Sequence, residues 1–257
     1  MRPLANLLFS VAASWAAAAP PITLHPENPH YLLFRGRPTV LVTSGEHYLI
    51  YEICNEPYNR RVPDEFQRHI AGVIVQTEAG FPHRHLISQN IANGSVRVEN
   101  PDPRVSVFQF HYSRPPDSVE MNYALNKAIG LNETGFDGAE DAPYRIQGWD
   151  FLLAGGALYN NLDFSFTTGH ESGTFRSPAT QPGGGSRALR RQLRHLCEFM
   201  ESLPFLRRRP MSEAIRGGVP EGASARALAE RGAPGAGSAR GQEPVIENSS
   251  ETAPARI

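Results

Sequence analysis

Cysteine is scarce: the 257 residues contain two, Cys54 and Cys197. Two cysteines allow at most one disulfide, which excludes a densely stapled scaffold, and they lack the close spacing of a thiolate-ligated metal centre. Cys54 falls in an apolar strand-like run and Cys197 in an amphipathic helical pattern, so both read as small buried hydrophobes. An excess of one charge is also absent. Lys and Arg number 25 against 26 Asp and Glu, for a net charge of −1. The basic residues are dispersed, which leaves no electrostatic footprint for nucleic acid or an anionic membrane surface. No phosphate loop of the GxGxxG or Walker type occurs, and no Gly-x-Ser-x-Gly elbow of an esterase. Beyond the N-terminus, no apolar run approaches the roughly 20 residues that span a bilayer as a helix.

The remaining composition is that of a globular enzyme, with 40% hydrophobic and 20% charged residues. The length suits one barrel-sized domain or two small ones. Arg2, the apolar residues 4–16, and Ala17-Ala18-Ala19 before Pro20-Pro21 have the layout of a secretory signal. Residues 1–19 are therefore expected to be removed, giving a secreted or periplasmic protein with no membrane attachment after cleavage. From Pro210 onward Ala, Gly, Ser, Glu and Arg dominate, and no aromatic follows Phe205. Such a segment has little apolar surface to offset its ordering entropy. Residues 210–257 are expected to be a disordered tail or the start of a truncated accessory β-sandwich, leaving 20–209 as the folded domain.

Within that domain strand-like and helix-like patterns alternate. Apolar runs at 39–43, 49–53, 85–90, 105–110, 128–131 and 162–166 read as strands, and residues 31–38 as two strand pieces around a Gly-containing turn. Helical periodicity covers 63–77, 118–127, 141–159 and 186–203. This is the sequence form of a parallel α/β barrel, with polar groups gathered where strands end. One junction breaks the rhythm. Between the strand ending at Glu46-His47-Tyr48 and the strand starting at Leu49 there is no room for a crossover helix, which parallel neighbours require.

Two glutamates carry the chemistry. Glu56 closes the run Ile50-Tyr-Glu-Ile-Cys-Asn-Glu-Pro57, and Glu133 closes Ile129-Gly-Leu-Asn-Glu-Thr-Gly-Phe136. Each comes after an Asn, and each precedes a Pro or Gly by no more than two residues. Paired carboxylates at the C-terminal ends of parallel strands are the equipment of glycoside hydrolysis: one donates a proton to the leaving oxygen and the other attacks the anomeric carbon.

These two runs resemble the acid/base and nucleophile strands of clan A glycoside hydrolases, the cellulase-like (β/α)8 enzymes. The resemblance covers residues 22–207 and implies a (β/α)8 TIM-barrel fold. Strands two and three are expected to be absent at the Tyr48–Leu49 junction, so that the barrel is incomplete. It also implies a retaining hydrolase of β-linked glycans, with Glu56 as acid/base and Glu133 as nucleophile. Asn55 would match the residue that hydrogen-bonds the sugar 2-hydroxyl. His111 and Tyr112, at the end of strand six, would orient the nucleophile, since a phenol or imidazole donor beside a carboxylate holds it aimed and charged. Glu46 and His47 after strand one, and His170 and Glu171 after strand eight, would line the cleft. Trp149 lies in a helical pattern that favours core packing over sugar stacking. The expected partner is a polysaccharide or oligosaccharide, and a monomeric state is expected. No cofactor is implied, and His47, His111 and His170 lack the short ligand spacing of a metal site. The other class of function open to the sequence is an inactive barrel fragment that acts at most as a carbohydrate-binding protein.

Overall fold

The computed structural model describes residues 20–44, 51–60, 62–176, 185–215 and 225–230. The signal segment expected at 1–19 lies outside these, and so do Glu46 and His47 of the expected cleft. Among the described residues no helix is long and apolar enough to cross a membrane.

The chain opens with β1 (Thr23–Leu24), β2 (Leu32–Phe34) and β3 (Arg37–Thr39), a small antiparallel sheet. Its tight turn is Arg35-Gly36, with both residues at positive φ (50° and 75°). That is the left-handed pair which matches the twist of a two-residue hairpin. Then come β4 (Leu41–Ser44), β5 (Tyr51–Glu52), α1 (Asp64–Thr77), β6 (Ile87–Asn93), β7 (Val107–His111), α2 (Asp117–Asn122), β8 (Ala128–Glu133), α3 (Asp141–Leu153), β9 (Leu158–Asn161) and α4 (Arg187–Ser202). A short antiparallel pair, β10 (Arg208–Pro210) with β11 (Leu228–Glu230), completes the described elements.

The six strands β4 to β9 form one parallel sheet in the order β4-β9-β8-β7-β6-β5. The expectation of a (β/α)8 barrel is corrected here. β4 and β5 lie at opposite edges and do not pair, so the sheet is open. The physical reason is the junction already visible in the sequence. With no crossover helix between them, β4 and β5 cannot be parallel neighbours, and six strands do not satisfy the linked strand number, tilt and stagger of an eight-stranded closure.

The open sheet is nevertheless strongly curled. Asn132 on β8 donates from Nδ2 to Oε1 of Glu52 on β5 at 3.2 Å. Three strand steps separate β5 from β8, about 14 Å in a flat sheet, so only a concave face brings these side chains together. A polar chain extends this contact from edge to edge. Thr43 on β4 donates to Asn160 on β9 at 2.7 Å, and Asn160 donates to the Asn132 carbonyl at 2.9 Å.

The outer face of the sheet is covered by helices. α4 turns Leu189, Leu193, Leu196 and Met200 inward at helical spacing. Its first turn is capped by Ser186, whose Oγ accepts from the Leu189 amide at 2.9 Å and donates to Asp141 at the start of α3. α3 and α4 approach closely at Gly148, where a Cβ would come within 3.0 Å of Leu196 and 3.2 Å of Tyr159. Trp149 packs on Phe199 of α4 with ring centroids 5.0 Å apart, a core role. Phe108, Phe110, Ile129, Leu131, Phe151 and Tyr159 are fully buried between sheet and helices, as expected for parallel strands covered on both sides.

Two further expectations are corrected. The helix expected over 141–159 stops at Leu153, and Leu158–Asn161 is the edge-adjacent strand β9. The interruption is Gly155-Gly156, with Gly155 at φ 98°. The strand expected at 162–166 is a loop, in which Asp163 accepts from the Ser165 amide and hydroxyl and from Arg190. The segment from Pro210, expected to be a disordered tail or the start of a truncated accessory β-sandwich, is described at 210–215 and 225–230, where Ala227 and Leu228 are fully buried and Arg226 pairs with Asp117 on α2.

Candidate active site

The side chains that matter collect at the C-terminal ends of β5 to β8, and two irregularities in strand pairing bring them there. Between β6 and β7 the register shifts after Asn90, so that Asn93 lies opposite His111. Between β7 and β8 it shifts after Phe110, so that His111 lies opposite Glu133. Each shift inserts one residue in a strand, bends it and re-aims the side chains beyond the bend. The result is a transverse row, Asn93–His111–Glu133, at the strand mouths.

The backbone conformation marks the same place. Of the six non-glycine positions with positive φ among the described residues, Glu56 (45°), Tyr112 (49°) and Phe136 (63°) lie just past the ends of β5, β7 and β8. The left-handed region is costly for residues with a bulky side chain and persists where surrounding contacts impose it, most often at functional sites. Here those contacts are specific. The Glu56 amide donates to Asn90 Oδ1 at 3.2 Å, and the Tyr112 amide donates to the Glu133 carbonyl at 3.0 Å.

Glu56 and Glu133 meet over one imidazole. His111 Nδ1 lies 3.1 Å from Glu56 Oε1 and 3.3 Å from Glu133 Oε2. The His111 side chain is wholly buried, while Glu133 is 13% and Glu56 25% exposed. The imidazole is thus the floor of the site, and the carboxylates face the cleft. One donor atom from each of the three residues lies within 4.8 Å of the other two. The Tyr112 hydroxyl donates to Glu133 Oε1. Tyr58 approaches from the other side and donates to Asn93 Oδ1 at 2.5 Å. Both phenols are pushed well above the ordinary tyrosine range. Burial is the main cause for each. The hydrogen bond and charge of Glu133 add to it at Tyr112, and the charges of Glu56 and Glu133 add to it at Tyr58. Each therefore keeps its proton to higher pH than an ordinary tyrosine does.

The other expected site residues are placed differently. Asn55 is exposed. His170 contacts Thr174 Oγ1 at 3.1 Å and packs on Phe175, and Glu171 accepts from the Gly169 amide at 2.8 Å. Both are thus engaged within their own loop. Residues to which the sequence assigns no role lie beside the pair instead, Glu52, Tyr58, Asn90 and Asn93, with Phe136 at the rim. Phe136 is 61% exposed and stands 5.9 Å from the Tyr112 ring. The available signals were positional. Asn93 ends β6, Asn90 lies within it, and Tyr58 lies two residues past Glu56. A separate cavity of about 190 Å³ lies against α1 and β6 and is lined by Pro57, Tyr58, Gln67 and Asn90, with neither central carboxylate in its wall.

No family model, curated protein or solved structure matches the chain.

Proposed function

We propose that the protein is a retaining glycoside hydrolase acting on β-linked glycans. The observation that carries this reading is the approach of the Glu56 and Glu133 carboxylates to within 4.8 Å across His111. Carboxyl groups about 5–5.5 Å apart serve double displacement, whereas inverting pairs stand about 6.5–9.5 Å apart to admit a water.

In the proposed reaction the Glu133 carboxylate attacks the anomeric carbon while Glu56, in its acid form, gives its proton to the glycosidic oxygen. The bond between that carbon and oxygen breaks, the leaving sugar departs as an alcohol, and the glycosyl group is held as an ester of Glu133. Glu56, now a carboxylate, takes a proton from water. The water oxygen replaces Glu133 at the same carbon, which restores both side chains. The surroundings suit this division of labour. Glu133 is the more buried of the two and is held by the Tyr112 hydroxyl, as a group that must be aimed at a single atom requires. Glu56 is the more open to the cleft, as a group that exchanges a proton with water requires. The exposed Phe136 ring offers a face on which an apolar sugar surface can stack.

The test is hydrolysis of an aryl β-glycoside by the full chain, with the anomer of the first product read by NMR. β-Product formed first, and abolished by Glu133→Gln, is the expected outcome. α-Product formed first, or sugar binding with no release of reducing ends, would overturn the reading.

A further inference from the structure

We infer that the Glu56–His111–Glu133 cluster is also a binding site for a zinc-class divalent cation, and that occupancy blocks the hydrolytic site. Binding rests on geometry alone, whereas the block rests on the proposed hydrolase reading.

The cluster combines one imidazole nitrogen with two carboxylates. That mixed donor set suits zinc and its first-row neighbours rather than magnesium or calcium, which take oxygen ligands. Zinc bonds to nitrogen and carboxylate oxygen are about 2.0–2.2 Å, so two ligands at a tetrahedral angle lie about 3.4 Å apart. The two Nδ1-to-carboxylate separations, 3.1 and 3.3 Å, already approach that edge. The remaining edge, between the two carboxylates, is no longer than 4.8 Å. It closes by at most about 1.4 Å to reach the same value, a shift available to Glu56, the most exposed of the three.

The ligands are also held from behind, as metal ligands generally are. Tyr112 holds Glu133, and Asn90 holds the backbone at Glu56. Three protein ligands leave a fourth position facing the cleft, open to water. A cation there neutralises both carboxylates and occupies the space where the glycosidic oxygen and anomeric carbon must enter.

The experiment is calorimetric titration of zinc chloride into the full chain, alongside magnesium chloride, with wild type, Glu133→Gln and Glu56→Gln. These isosteric replacements keep the volume of each side chain, and a circular dichroism spectrum of each confirms the fold. One zinc site per chain is expected, weakened at least tenfold in both variants, with no magnesium binding. In wild type, zinc should inhibit aryl glycoside hydrolysis competitively, with an inhibition constant equal to the calorimetric Kd. No zinc site would overturn the proposal, as would a site that both variants retain, such as the exposed His195–Glu198 pair. Hydrolysis that persists at saturating zinc would overturn the block. Zinc binding to a chain that hydrolyses nothing would leave the cation site standing and remove the hydrolase reading.

Discussion

Replacing Tyr112 with phenylalanine isolates one interaction. The ring remains, and with it the packing against His111 and Phe136 at centroid separations of 5.8 and 5.9 Å. Only the hydroxyl that donates to Glu133 is lost. A hydrogen bond to a charged group contributes about 1.5–3 kcal/mol, and the low exposure of Glu133 leaves little room for water to replace it. At about 1.4 kcal/mol per decade of rate, kcat/KM should fall about 10- to 150-fold. The loss should appear mainly in kcat, because the phenol aims the attacking oxygen rather than gripping the sugar. The assay is initial-rate hydrolysis of an aryl β-glycoside, paired with a thermal melt of each protein. A variant within threefold of wild type, with an unchanged melt, would refute the assignment of Tyr112 as the positioning residue. A large rate loss that tracks a large drop in Tm would show that the hydroxyl supports the fold instead.

Two further outcomes test the fold. Leu228→Ala should cost about 2–4 kcal/mol in urea denaturation, because Leu228 is fully buried where β11 meets β10; a change below about 0.5 kcal/mol would return this strand to the exposed tail. Asp102→Asn should cost about 1 kcal/mol at neutral pH, a hydrogen-bonded ion pair discounted for the part-exposed Arg104. The Arg104 guanidinium holds the Asp102 carboxyl below the usual range, against burial. The folded state therefore binds fewer protons than the unfolded chain near the ordinary carboxylate pKa. The stabilisation is complete above about pH 4 and lost below it. The wild-type advantage over the variant should shrink as pH falls below about 4; an advantage that does not change with pH would refute the pairing.

Sequence and structure agree best where local pattern and tertiary role coincide. The apolar runs at 105–110 and 128–131 are β7 and β8 because both faces of those strands are buried, and the leucines of α4 recur at helical spacing. The two part company where buried residues are polar. β9 ends in Asn160 and Asn161, both fully buried and bonded to Thr43 and Thr134, so the strand carries no apolar signature. The alternation of Leu162-Asp-Phe-Ser-Phe166 has the form of a strand, but Asp163 folds it into a turn and leaves Phe164 and Phe166 exposed. At the site, Glu56, Glu133, His111 and Tyr112 were legible because each closes an apolar run. Asn90, Asn93 and Tyr58 were not, because the curl of the sheet and two one-residue register shifts, neither written as a local motif, bring them into place. Phe136 is, in sequence, merely the end of the Glu133 run; its exposure beside Tyr112 is a tertiary fact.

The open edge has a further consequence for the central pair. Glu133 ends an interior strand, hydrogen-bonded to β7 on one side and β9 on the other. Glu56 lies past the end of β5, which is two residues long and, among the described residues, paired only with β6. Local opening is easiest where the fewest backbone bonds must break. The two carboxylates thus belong to regions of unequal persistence: one is anchored in the last part of the sheet to yield, the other at its first margin to fray. On warming, the pair is therefore expected to separate before the chain unfolds, and the temperature limit of the proposed reaction would be set by a two-residue strand rather than by the hydrophobic core.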